Sequence, residues 1–345
     1  MTAEALRFKQ LIAKAATGAL LDQDEAGDAF AVMMEGGATP SQIAGFLMAL
    51  RVRGETIDEI TAGALSMRQR MARITAPEGA IDTCGTGGDA AGTFNISTAA
   101  AIVVAGAGVP VAKHGNRSLS SRSGSAEVLK ELGVNIDADF ALIERAMREA
   151  GIGFMMAPRH HGAMRHVAGT RMELGTRTIF NLLGPLANPA GVKRQLMGVF
   201  AAQWLEPLAN VLGRLGSSFA WVVHGSDGLD ELTTTGPTLV AEWNGSRVRC
   251  FEVTPEDAGL PRGRPEDLKG GEPAYNAEAI RTLLQGGPGP FRDAVLLSAA
   301  GALLVAGRVG NLREGAGLAA EAIDGGAAAA ALARLVEITN VPSPA

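Results

Sequence analysis

Short apolar runs alternate with helical segments from about residue 80 onward, which predicts an α/β protein with a mostly parallel central sheet. A small all-helical domain is expected ahead of it, because residues 2 to about 75 carry helical patterning only. Pro77-Glu78-Gly79 breaks the chain where the pattern changes. The expected domains are therefore 1–75 and 76–345, a division that suits a chain too long for one small core.

Two helix starts are explicit in the N-terminal region. Thr39-Pro40-Ser41-Gln42 and Thr56-Ile57-Asp58-Glu59 both fit the capping box, the first with proline at the first helical position. Ile43, Phe46, Leu47 and Leu50 then recur at helical spacing and predict a stripe facing the core. Beyond the break, Ala80-Ile81-Asp82 reads as a strand end, Ser97 to Ala107 as a buried alanine-rich helix, and Val109 to Ala112 as a strand. Helices follow over Ser123 to Leu132 and Phe140 to Glu149, then strands over Ile152 to Met155 and Gln195 to Phe200. A helix from Leu205 to Leu215 leads into a strand from Phe219 to Val223. Asn244-Gly245, between Thr238 to Trp243 and Arg247 to Phe251, predicts a hairpin. Residues 252–274 are rich in proline, glycine and charge and read as loop. Helix returns at Asn276 and ends over Ala327 to Ile338, where glycine and alanine imply close packing on the sheet.

The chain has 36 acids against 31 lysines and arginines, a formal charge of −5, so no general attraction to nucleic acid or to an anionic membrane is expected. Two cysteines make no disulfide framework and point to a reducing cytoplasm. The N-terminus lacks a signal-peptide pattern, and the longest apolar runs are too short to span a bilayer.

Against that acidic balance, no acid occurs between Asp89 and Glu127. The window holds Lys113, Arg117 and Arg122 among glycines and hydroxyls, a composition suited to a phosphate ester. Gly85-Thr86-Gly87-Gly88-Asp89 would let backbone approach a ligand closely, although a plain turn has the same composition. It has neither the Lys-Ser/Thr pair of a P-loop nor the spacing of a dinucleotide fingerprint. Thr93 and Asn95-Ile96-Ser97-Thr98 open a helix, either as a simple N-cap or as phosphate or metal contacts. Lys113-His114-Gly115-Asn116-Arg117-Ser118, followed by serines to Ser125, is the most specific block: it reads either as a solvated surface loop or, with two cations leading into a helix N-terminus, as an anion cradle. A second acid-free window, Ala150 to Met172, holds Arg159, His160, His161, Arg165, His166 and Arg171. Its spacing does not fit zinc, whereas Arg171 or Arg165 would suit a carboxylate. After the apolar run ending at Val223 come Asp227, Asp230 and Glu231. They read either as solvated loop acids or as metal ligands, since adjacent carboxylates would repel an anion unless Mg²⁺ lay between them. Cys84 has no cation beside it in sequence and reads as a small buried residue.

In this order the blocks resemble the anthranilate phosphoribosyltransferases. The likeness rests on Gly85 to Asp89, Asn95 to Thr98, Lys113 to Ser121, Met156-Ala157-Pro158, Arg171 to Leu186 and Gly228 to Glu231, and extends from Gln42 to about Thr254 and more weakly to the end. It implies a nucleoside phosphorylase-like α/β domain, helices near 170–196 returning to the small domain, and a homodimer formed through that domain. It also implies transfer of phosphoribosyl from phosphoribosyl pyrophosphate to the amine of anthranilate, a step of tryptophan biosynthesis. By resemblance the donor would contact Gly85, Gly88, Asp89, Thr93, Asn95, Ile96, Ser97, Thr98, Lys113, His114, Gly115, Asn116, Arg117, Ser118, Leu119, Ser120, Ser121 and Ser125. Mg²⁺ would sit at Ser97, Asp230 and Glu231, and anthranilate beside Gly85, Asn116 and Arg171. No general base is identified. Ala90 and Leu119 depart slightly from the family's pattern. Three alternatives stay open: a pyrimidine nucleoside phosphorylase of the same fold, a non-catalytic relative that binds nucleic acid, and a phosphoribosyltransferase for another aromatic amine or acid.

Overall fold

The computed structural model describes residues 3–89, 91–117 and 123–342, so Ser118, Leu119, Ser120 and Ser121, expected at the donor, lie outside the described residues, as do Ala90 and Arg122. Four helices come first: α1 (Ala3–Ala16), α2 (Gln23–Met34), α3 (Pro40–Arg53) and α4 (Ile57–Arg70). Next are β1 (Ile81–Gly85), α5 (Ile96–Gly106), β2 (Val111–Gly115), α6 (Ser125–Glu131), α7 (Phe140–Glu149) and β3 (Ile152–Met156). Short helices α8 (Ala157–His160), α9 (Arg165–Leu174) and α10 (Phe180–Leu183) precede β4 (Arg194–Gly198), α11 (Leu205–Arg214) and β5 (Phe219–Gly225). The hairpin β6 (Thr238–Trp243) and β7 (Val248–Val253) is followed by α12 (Pro273–Leu284), α13 (Pro290–Val305), α14 (Leu312–Asp324) and α15 (Ala327–Thr339).

These elements form two compact units. The first runs to Arg73 and resumes from Ala157 to Pro189; the second comprises Ile74–Met156 and everything from Ala190 onward. The first is all helical. Its α3 and α4 start where the capping boxes predict: the Gln42 side chain accepts from Thr39 N–H at 2.9 Å and that of Glu59 from Thr56 N–H at 2.9 Å. Asp22 and Glu25 cap α2 in the same way. Glu59 is also fully buried against the Arg53 guanidinium and accepts from Leu21 N–H. The stripe on α3 is core: Phe46 meets Phe8 and Phe30 with ring centroids 5.5 and 6.3 Å apart.

His160 and His161 belong to this unit's interior. The His160 ring Nδ1 lies 2.7 Å from the Ala72 carbonyl oxygen, and Ala72 N–H donates to the His160 carbonyl at 2.8 Å. Burial holds His161 down at about 4, with neighbouring His160 adding to the effect and a backbone hydrogen bond at Ala187 opposing it. His160 is lowered too, chiefly by burial. Between pH 4 and 6.5 the unfolded chain therefore binds more protons than the folded one, so stability present above about 6.5 is lost on acidification. His161 alone can account for up to about 3 kcal/mol of this. Calorimetry from pH 7 to 4.5 should show a falling transition temperature, and His161→Gln should flatten the slope; an unchanged slope rejects the assignment.

The second unit is built on a seven-stranded sheet in the order β3-β2-β1-β4-β5-β6-β7. The five strands from β3 to β5 are parallel, and the β6–β7 hairpin continues them antiparallel. Parallel strands are expected to be covered on both faces, and α5, entirely apolar after its first turn, is buried from Ala99 to Val104. Glycine and alanine let its neighbours approach closely. A Cβ on Gly106 would lie 2.6 Å from the Ala328 backbone, and one on Gly315 would lie 2.8 Å from that of Ala300. No single helix among the described residues is long and apolar enough to cross a membrane.

Two boundaries differ from expectation. β2 extends to Gly115, so Lys113 and His114 are strand residues and not loop residues. Residues 252–274 are not a free loop: they contain 3-10 turns at Pro255–Ala258 and Pro265–Leu268, and Lys269 bridges Thr93.

Candidate active site

In a parallel sheet, ligand sites form beyond the carboxyl ends of the strands, where loops lead into helices. β1 and β4 end side by side on Gly85 and Gly198, which are register partners. Asp230 passes directly over both. A Cβ on Gly198 would fall inside the Asp230 carbonyl oxygen, and one on Gly85 would collide with the Asp230 carboxylate. Glycine is thus required at both strand ends by this close approach. The loop after β1 turns back through Gly87 and Gly88, at φ +64° and +78°, and Gly87 N–H donates to Asp230 Oδ2 at 2.7 Å. Thr86 fastens the loop to β4: its N–H donates to Gly198 O at 3.0 Å, and its hydroxyl accepts from Phe200 N–H at 3.0 Å.

Glu231 occupies the start of α5, where Ser97 N–H donates to its Oε1 at 3.0 Å. That is a helix N-terminus serving a carboxylate. Lys113 enters from β2, almost wholly buried, with its ammonium donating to the Thr83 carbonyl. Thr83 hydroxyl in turn donates to Ser97 O at 3.3 Å, so strand, helix start and cation form one assembly.

The two carboxylates are held above their ordinary range. Both residues keep some surface contact with solvent, but protein atoms surround the carboxylates closely and loss of water is the largest cause. Asp230 is raised well above the usual value by burial, then by the charges of Asp89 and Glu231, with Gly87 N–H opposing. Glu231 is raised to about 7 by burial, while hydrogen bonds from Ser97 and the charge of Lys113 draw it down. Two crowded carboxylates of this kind, sharing one nearby cation, are relieved by a divalent cation. No group of three or more acidic, histidine or cysteine ligands is assembled among the described residues. What the site does present, two adjacent carboxylates beside the Ser97 start of α5, is a donor set that suits magnesium, which takes one or two carboxylates and completes its shell from phosphate and water. Asp227 pins the turn instead, its Oδ2 accepting from the hydroxyls of Thr233 and Thr235, each at 2.6 Å.

The other expected donor residues fall into distinct environments. Ile96 is fully buried and its N–H donates to Phe94 O, while Thr98 is also buried. His114 is buried, with its N–H on Asp82 Oδ1 at 3.1 Å. Gly115 makes room for Ser125: a Cβ there would lie 2.5 Å from Ser125 Oγ. The Ser125 hydroxyl donates to Asn116 O at 3.2 Å, and Arg117 N–H donates to Asn116 Oδ1 at 2.8 Å. Asp89 Oδ1 accepts from Ala91 N–H at 3.2 Å. Asn95 makes no side-chain cap to α5; its amide donates to Ser123 O at 3.2 Å. Cys84 is buried beside Gln195 with its thiol pushed up, chiefly by burial, which leaves no reactive thiolate. Arg171 lies in the helical unit on α9, its guanidinium 5.4 Å from the centre of the Phe180 ring.

Sequence reasoning missed Gly198 and Thr83. Only Gly198 carried a signal, as a glycine closing an apolar run opposite Gly85.

Known proteins resemble the chain over nearly its whole length. Residues 9–71 match the helical bundle domain of the glycosyl transferase family, and residues 77–329 match its a/b domain. An anthranilate phosphoribosyltransferase of Rhodospirillum rubrum is 64% identical over 97% of this chain and 97% of its own. One from Parvibaculum lavamentivorans is 63% identical over 96% of this chain and 98% of its own. The crystal structure of the Thermus thermophilus anthranilate phosphoribosyltransferase superposes with a TM-score of 0.91 at 44% identity, covering 96% of this chain and 99% of that one. The Saccharomyces cerevisiae enzyme in complex with PRPP and Mg superposes at 0.89 with 27% identity, covering 98% of each chain. With both domains matched in order and identity above 60% across the full span, this chain belongs to the anthranilate phosphoribosyltransferase family.

Proposed function

We infer that the protein transfers the phosphoribosyl group of phosphoribosyl pyrophosphate to the amine of anthranilate and releases pyrophosphate, a step of tryptophan biosynthesis. The observation that carries this reading is the Asp230–Glu231 pair, clamped by Gly87 and Ser97 N–H groups beside an acid-free stretch of chain. Ser97, Asp230 and Glu231 would hold Mg²⁺, which when bound supplies positive charge to the pyrophosphate. The glycine loop (Gly85, Gly88, Asp89), the α5 start (Thr93, Asn95 to Thr98) and the segment from Lys113 through Ser125 would orient the donor. Lys113, fixed by Thr83, acts as a stationary charge that keeps Glu231 ionisable next to an anion. Prepositioned N–H groups and cations favour the state in which charge moves onto the leaving group. The attacking arylamine is uncharged at neutral pH, so the reaction requires no strong general base.

The direct test is loss of anthranilate fluorescence on mixing protein, phosphoribosyl pyrophosphate and Mg²⁺. No loss of signal, together with phosphorolysis of thymidine or uridine, would move the chain to the nucleoside phosphorylases. Gly85, Asn116 and Arg171 would serve the acceptor, Arg171 at its carboxylate. Burial has already lowered the Arg171 guanidinium, so an anionic partner would be favoured there. Arg171→Ala should raise KM for anthranilate about a hundredfold and KM for the donor only slightly, on the scale of one lost bidentate ion pair. Equal changes in the two constants would reject the carboxylate role.

A homodimer through the helical unit forms part of the same reading. Helices α1, α3 and α9 pack together and expose Leu6, Val52 and Met172, the last two more than 80% accessible at 83% and 81%. Sedimentation should give twice the chain mass, and Val52→Asp with Met172→Asp should return the monomer. The two cysteines, both outside disulfides, suit the reducing cytoplasm.

A further inference from the structure

Asn276 stands in the first turn of α12 and is completely buried, although none of the chemistry above uses it. A buried amide is costly unless both ends are satisfied, and here both ends are. Gly271 N–H donates to Asn276 Oδ1 at 2.8 Å, and Asn276 Nδ2 donates to Asn95 Oδ1 at 2.9 Å. Asn95 Nδ2 then donates to the Ser123 carbonyl at 3.2 Å, while the Ser123 hydroxyl donates back to Asn95 Oδ1 at 3.1 Å. The relay begins on a backbone N–H, which can only donate, and ends on a backbone C=O, which can only accept. That fixes the orientation of both amides: turning either one sets oxygen against oxygen and N–H against N–H.

The relay joins three segments that are far apart in sequence: the 268–271 strip, the Thr93–Ser97 entry to α5, and the Ser123–Ser125 entry to α6. A second set of contacts runs alongside it. Phe94 N–H donates to Leu268 O at 3.0 Å, Gly270 N–H donates to Gly92 O at 2.9 Å, and a Cβ on Gly270 would lie 2.5 Å from Thr93 O. The Phe94 ring lies 5.7 Å from Tyr275 and 4.6 Å from Phe291, centre to centre. The α5 entry thus rests on α12 and the strip before it.

We propose that Asn276 is a positioning residue for the phosphoribosyl donor, acting through Asn95 to set the spacing between the α5 entry and the Ser123–Ser125 turn. The proposal rests on the donor site assigned above. It differs from a purely structural role in what it predicts for kinetics, because Arg171, assigned above to the anthranilate carboxylate, is no member of the relay.

The experiment compares wild type, Asn276→Ala, Asn95→Ala and the double variant in steady state, titrating each substrate in turn. Asn276→Ala should raise KM for phosphoribosyl pyrophosphate about tenfold, the scale of one buried hydrogen bond. KM for anthranilate should stay within about twofold of wild type on the same scale. Added to Asn95→Ala, the Asn276 substitution should cause almost no further rise in donor KM, since both remove the same link. Asn276→Asp serves as the isosteric control if the alanine variant folds poorly. It keeps the acceptor for Gly271 and loses the donor to Asn95, so it should show the same donor-selective change. Unchanged kinetics, equal changes in both KM values, or full additivity in the double variant would overturn the proposal. Absence of turnover in the wild type would instead overturn the donor assignment beneath it.

Discussion

Replacing Asp230 by Asn together with Glu231 by Gln is expected to reduce kcat by about a hundredfold or more and to remove most of the Mg²⁺ dependence, on the scale of losing a preorganised charge at a leaving group. The same double variant should fold at least as well as the wild type in metal-free buffer at pH 8. Both carboxylates are raised by burial, so the folded protein binds their protons more tightly than the unfolded chain does. Their contribution to stability therefore falls as pH rises from the ordinary carboxylate range through about 7, where Glu231 ionises in the folded state. The amide replacements escape that penalty, and their oxygens can still accept from Gly87 and Ser97. Metal titrations of activity alongside thermal melts separate the two effects. A variant that keeps its magnesium response would remove the metal from Asp230 and Glu231, whereas one that melts far below the wild type would contradict the burial argument.

Gly198→Ala should have the largest effect on the fold per atom added. The new methyl would occupy the position of the Asp230 carbonyl, which is backbone and cannot rotate away. Either the β4 end or the Asp230 loop must move, at a cost of about 3 kcal/mol on the overpacking scale. Activity should fall further than stability, because the displaced peptide carries both carboxylates. Chemical denaturation and kcat measured on the folded fraction test the two parts. Wild-type stability and activity together would mean that the loop lies elsewhere in solution. Gly87→Ala is a useful contrast: nothing lies near its absent Cβ, so the expected cost comes only from its φ of +64°.

Much of the fold was legible because its signals are local. The capping boxes at Thr39 and Thr56 and the Asn244-Gly245 hairpin each depend on residues within a few positions of one another. The apolar runs likewise foretold the parallel strands. Lys113 is where local reading falls short. A lysine after an apolar run reads as the start of a loop, since burying an ammonium in mid-strand is unfavourable without partners. Its partners, the Thr83 carbonyl and the charge of Glu231, come from distant parts of the chain. Asn95 shows the same limit: its type and place suggest a helix cap, but its amide is committed to Ser123 and Asn276, and only the folded chain brings them together. Asp227 looks equivalent to Asp230 in sequence, yet two threonine hydroxyls occupy it. The site blocks were nonetheless recognisable, because an acid-free stretch in an acidic chain is a compositional feature that needs no geometry to see.

The notch shared by β1 and β4 has a consequence for how relatives of this chain can diverge. Gly85 is confined by the Asp230 side chain, whereas Gly198 is confined by the Asp230 main chain. A descendant that sheds the acid and its chemistry frees the first position to accept alanine or serine, but the second stays closed for as long as the loop keeps its path. Drift at 85 with constancy at 198 would therefore be the fossil mark of lost catalysis on a retained scaffold.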